Sequence, residues 1–103
     1  MDILKLIPYG RDNSISTVEL ANLLGEETRT VRDRISRLRR QGVIICSNSD
    51  KSIGQTGYFQ PISREELETF VKVESARIRT HREAIAPAQR KLKALERKKV
   101  GSI

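Results

Sequence analysis

The chain is poor in the residues that build most recognisable sites. It has one cysteine, Cys46, one histidine, His81, no tryptophan and only two tyrosines and two phenylalanines. A lone cysteine forms no internal disulfide, so the fold is not a disulfide scaffold and suits a reducing compartment. Cys46 and His81 lie far apart with no partner at metal-ligand spacing, so no metal site is expected. The scarcity of aromatics argues against a platform that stacks unpaired RNA bases. No apolar run approaches the roughly 20 residues of a spanning helix, and MDILKLIPYG lacks a basic region ahead of its apolar residues. We therefore expect a soluble cytoplasmic protein without membrane attachment. There is also no glycine-rich phosphate loop, no nucleophile beside a base and no carboxylate pair in an apolar setting, so neither an enzyme nor a cofactor is expected.

What the sequence does have is positive charge. Its 103 residues carry 20 Lys+Arg against 13 Asp+Glu, a net charge of +7. A polyanion is the partner that this balance favours, nucleic acid ahead of an anionic membrane surface. The length fits one small domain with an appendage, its core drawn from Leu, Ile and Val.

Along the chain, Ile3 to Ile7 reads as a short helix with Asp2 as N-cap, stopped by Pro8 and Gly10. Ile15 is placed to join a small sheet. Ser16 and Glu19 form a capping box that opens a helix over Thr17 to Leu24, with Val18, Leu20, Ala21, Leu23 and Leu24 on a broad apolar face and Gly25 at a left-handed terminus. In the next helix Val31, Ile35 and Leu38 recur at four and three residues and must face the core. The opposite face then carries Arg29, Asp33, Ser36, Arg37 and Arg40, with Thr30 beside them. Gln41-Gly42 ends this helix. Val43 to Cys46 has strand character, Ser47 to Thr56 reads as a loop, and Gly57 to Gln60 can pair back before Pro61.

Ser63 and Glu66 form a second capping box ahead of a heptad register: Leu67, Val71, Glu74, Ile78, His81, Ile85, Ala88, Leu92 and Leu95. Val71, Ile78, Ile85 and Leu92 occupy position a, and three of the four are β-branched, which favours two strands if the coil is parallel. Pro87 falls off the seam. It either kinks one helix or opens a second at its first position. Arg77, Arg79, Arg82, Arg90, Lys91 and Lys93 serve equally as solvated coil positions or as phosphate contacts.

The order helix, STVELANLLGEETRTVRDRISRLRRQG, VIIC, loop, GYFQP resembles the winged helix-turn-helix domain of the biotin-operon-repressor type, on Ile35, Leu38, Arg39, Gly42, Gly57 and Tyr58. It also resembles small phage and mobile-element proteins that add a charged C-terminal helix. The resemblance spans residues 3 to about 62, and no ligand-binding or catalytic domain follows. Glu27 stands where that family often has a serine N-cap, so Thr28 is an alternative cap. The resemblance implies that the second helix of the motif enters the major groove while the wing touches the backbone or minor groove.

The expected fold is thus mainly α with a small antiparallel β-hairpin: a winged helix-turn-helix over residues 1–62, then a long, Pro-kinked C-terminal helix over 63–103. Double-stranded DNA is the expected partner, through Thr28, Arg29, Thr30, Asp33, Ser36, Arg37 and Arg40 and, in the wing, Lys51 and Gln55. Arginine bridges guanine O6 and N7, and serine can serve either role. Asp33 either accepts from cytosine N4 or, the favoured role, braces Arg29 and Arg37. Leu67, Val71, Ile78, Ile85, Leu92 and Leu95 are the expected homodimer seam. The competing class is an assembly module that uses the winged domain as a docking platform.

Overall fold

Two helices joined by a three-residue turn lie at the centre of the fold: α1, Thr17–Leu24, and α2, Thr28–Arg40. The computed structural model describes residues 2–49 and 56–101, with side chains described as far as Arg97. The chain is mainly helical, 69%, with a two-stranded antiparallel sheet and a long C-terminal helix. The strands are β1, Cys46–Asn48, and β2, Gly57–Phe59, and the long helix is α3, Arg64–Gly101. Two compact units result, residues 1–70 and 71–103. The first therefore extends eight residues past the expected boundary at 62 and includes the first two turns of α3.

Local chemistry explains each end. Asp2 accepts the Leu4 N–H at 3.0 Å, but the segment that follows, Ile3–Leu6, is a 3-10 helix and stops before Pro8. The side chain of Gln60 closes it, donating through Nε2 to the carbonyls of Leu4 and Ile7 at 3.2 and 2.9 Å. Ser16 Oγ accepts the Glu19 N–H and starts α1 where the sequence puts it. Gly25, at φ 66°, ends it, with Glu26 N–H donating to the Ala21 carbonyl. The same closure terminates α2: Gly42 takes φ 95°, and Val43 N–H donates to the Leu38 carbonyl at 3.0 Å.

That second closure corrects the first strand. Val43 to Cys46 was expected to be extended, yet β1 begins at Cys46, because Val43 N–H is engaged by Leu38 and the Ile45 carbonyl accepts from Arg39 Nε at 2.9 Å. Neither group is free for a ladder. Ser47 and Asn48, expected in the loop, are strand residues that pair with Tyr58 and Gly57. A third extended segment lies on the other edge of β2. Ile15 and Tyr58 exchange both backbone hydrogen bonds, at 2.9 and 2.7 Å. Gly57 makes this possible, since its φ is 135° and a Cβ there would sit 2.0 Å from the Ile15 carbonyl oxygen.

The core is mainly aliphatic, with Phe59 and Cys46 also buried. Ile3, Ile7, Leu20, Ala21, Val31, Ile35 and Ile45 form one buried cluster, with Ile15, Leu24, Leu38, Val43 and Tyr58 packed against it. Val18 and Leu23, expected on the apolar face of α1, are instead exposed, each at 58%. An eight-residue helix presents about two turns, and Leu20, Ala21 and Leu24 already fill the side that meets α2.

The expected capping box of α3 forms in altered shape. Ser63 Oγ accepts the Glu66 N–H, but the Glu66 carboxylate accepts from the N–H groups of Ile62 and Arg11, at 3.0 and 2.9 Å. α3 continues unbroken through Pro87, so the alternative of two separate helices is not realised. The ring removes one hydrogen bond from the ladder, to the Glu83 carbonyl.

Two predictions follow from these contacts. Gly57→Ala should cost about 3 kcal/mol, from a forbidden backbone angle and a collision with Ile15, whereas Gly25→Ala, with open space around it, should cost about 1 kcal/mol; urea denaturation of both variants checks the ratio. Cys46 is fully buried, and burial pushes its thiol above its ordinary pKa of 9.0, with Arg39 lowering it and Glu66 raising it further. Because the folded pKa exceeds the unfolded one, stability is intact below pH 9 and falls as pH rises above it. Cys46→Ala should flatten that alkaline limb in melts recorded between pH 8 and 11.

Candidate nucleic-acid interface

The buried row of α2 decides where its charge goes. Val31 and Ile35 are 0% and 1% exposed, and Leu38 is half-buried beside them. At 100° per residue, Arg29, Asp33, Ser36 and Arg40 then point within about 40° of the direct opposite, and Arg37 about 60° from it. All five are exposed, as is Thr30, while Thr28 is the first helical residue and half-buried. Glu27 is the N-cap and makes no side-chain hydrogen bond, so the alternative cap at Thr28 is not realised.

The six arginines of α2 divide into two groups. Arg34 is held by Glu26, Nη1 to Oε1 at 2.7 Å, with both side chains about 30% exposed. This pair ties the α1–α2 turn to the flank of α2. Arg39 does more: its Nε donates to the Ile45 carbonyl, and its guanidinium lies 5.7 Å from the ring centres of both Tyr58 and Phe70. One side chain thus joins α2, the segment leading into β1, the strand β2 and the first turns of α3. Arg29, Arg32, Arg37 and Arg40 have no side-chain ion pair or hydrogen bond among the described residues. They form the cationic surface.

Arg32 was not among the expected DNA-contacting residues. It is exposed and lies about 100° from Val31, beside Arg29 and Ser36. Its helical angle was available from the spacing alone. Asp33 is exposed too, and no ion pair within 4.0 Å joins it to Arg29 or Arg37, so the expected bracing is not formed here. Lys51 and Gln55, assigned to the wing tip, lie outside the described residues.

The expected seam is placed as follows. Leu67 belongs to the first unit and is half-buried there. In the second unit Val71, Ile78, Ile85 and Leu92 are 51–60% exposed, with Leu95 at 50%. Glu74, a charge on the seam, is paired with Arg77 one turn on, at 3.3 Å. His81 is exposed. No helix among the described residues is long and apolar enough to cross a membrane, and no group of three potential metal ligands occurs among them.

No family model, curated protein or solved structure matches the chain.

The division of the arginines is testable by melting. Arg39→Lys keeps the charge but loses the planar fork that reaches one carbonyl and two rings, and should lower Tm by about 5 °C, the equivalent of about 1 kcal/mol. Arg37→Ala should leave Tm within the range of an ordinary surface change, about 0.5 kcal/mol.

Proposed function

We propose that the chain is a sequence-specific double-stranded DNA-binding protein of winged helix-turn-helix architecture, working in the cytoplasm as a small transcriptional regulator or as a site- or origin-binding factor of a phage-like element. The observation that carries this reading is the surface of α2, where Arg29, Arg32, Arg37 and Arg40 extend from one helix with no acidic side chain paired to them. A 13-residue helix is about 20 Å long, and the major groove, about 12 Å wide, admits it. Thr28, Thr30, Ser36 and the arginines supply donors for phosphates and base edges. The neighbouring hairpin β1–β2 supports the winged form of the motif.

α3 gives the second half of the reading. A single helix derives most of its stability from packing an apolar face, and residues 71–97 leave such a face open. Its exposed row Val71, Ile78, Ile85 and Leu92 repeats every seven residues, so a second copy offers each residue its own counterpart. The Glu74–Arg77 pair reduces the cost of a carboxylate beside that row. A homodimer would present α2 twice and predicts a repeated half-site, inverted if the coil is parallel.

Mobility shift on random duplexes tests the reading against an assembly module, which would leave the DNA unshifted. With about six basic residues on phosphates, log K should fall against log salt with a slope of about −5. Sedimentation equilibrium should give a dimer, and the double variant Ile78→Asp with Ile85→Asp should give a monomer. A dimer that survives both charges would refute the seam.

A further inference from the structure

Resting on that reading, we infer that Asp33 is the residue that makes the α2 surface selective, by accepting a hydrogen bond from the N4 amino group of a cytosine in the major groove. Asp33 lies one turn from Arg29 on one side and one turn from Arg37 on the other, so it occupies the middle of the cationic face. Its side chain is exposed, and no described arginine is within ion-pair distance of it, although two are placed four residues away. A carboxylate absorbed in bracing its neighbours would have both oxygens occupied. This one offers both to solvent.

Such a group has a definite preference. A carboxylate is acceptor-only, so phosphate oxygens, thymine O4 and guanine O6 and N7 all oppose it. Adenine offers one amino group but sets the N7 acceptor beside it. Cytosine alone presents an amino donor on the major-groove edge without an adjacent acceptor of its own. The pairing guanine meanwhile presents O6 and N7, which suit an arginine. Four residues of helix rise about 6 Å and base pairs stack every 3.4 Å, so Arg29 and Arg37 reach pairs about two steps from the one under Asp33, or share its C·G pair from either side. The four unpaired arginines attract any duplex. Asp33 is the element that rejects most of them, because wherever it meets a phosphate or an acceptor edge the approach of the whole face is opposed.

The experiment is selection of bound duplexes from a random pool with the full chain and with Asp33→Asn and Asp33→Ala, each checked for an unchanged melt. Asparagine pairs with adenine N6 and N7. The native chain should yield a site with one cytosine that Asp33→Asn converts to adenine and Asp33→Ala leaves undetermined. Discrimination at that position should fall about tenfold or more in Asp33→Ala, while affinity for non-specific duplex rises several-fold because a negative charge has left the phosphate-facing surface. A selected site that is unchanged in both variants would overturn the inference and leave DNA binding intact, as would binding of all sequences alike by the native chain. Failure of the native chain to retain any duplex would overturn the underlying DNA-binding reading instead.

Discussion

The burial of one short apolar row constrains the rest of the first unit. α2 is a thirteen-residue helix whose only apolar residues are Val31, Ile35 and Leu38, and the other ten positions are polar or charged. Three contacts in a row fix a helix about its own axis as well as in place, since turning it by one residue would carry an arginine into a cluster that has no group to pair with it. α1, the N-terminal 3-10 segment and Ile45 complete the pocket for that row. The direction of every arginine then follows from its number. Those near the boundary, Arg34 and Arg39, reach back to protein partners, and those beyond it have only solvent or a ligand to meet.

Arg39 shows how a charge can be structural. A lysine stem in its place could carry the cation to the Ile45 carbonyl, but a point charge cannot use its planar face against Tyr58 and Phe70. Because Glu66, in the same turn-and-a-half of α3, also binds the Arg11 and Ile62 amides, the start of the long helix is tied to the first unit from two sides.

Much of this was legible. The spacing of Val31, Ile35 and Leu38, the serine caps at 16 and 63 and the glycine at 25 each express a local rule, so helix ends and the outward face could be read from neighbours in sequence. What could not be read depends on contacts that no local rule specifies. Gln60 closing the first 3-10 segment, Ile15 lying against Gly57, and the Ile45 carbonyl turned to Arg39 all arise from tertiary placement, and the last of these moved the first strand three residues downstream. Which of the six α2 arginines are free is likewise settled by contacts. Two of six were already engaged, while Arg32, passed over, was not. Val18 and Leu23 illustrate the opposite error, in which apolar composition was taken for burial although the small core had no room for them.

The two units pose different physical problems. In the first, enthalpy from a few well-placed bonds and a modest core fixes a surface; in the second, residues 71–97 carry exposed Val, Ile and Leu at regular intervals with no described partner for them. Scattered apolar residues are ordinary on a protein surface, but a seven-residue repeat places these four along one stripe, and a stripe of that kind is what one helix shows to another. In the function proposed above, selectivity and pairing would depend on each other. On the proposed reading, a single α2 spans about four residues of useful rise on either side of Asp33, enough for only a few base pairs, whereas two copies joined by α3 would read the same few pairs twice and multiply their separate preferences. A seam of this kind would supply no base contact, yet it would raise a weak, salt-sensitive affinity to one that can distinguish a site.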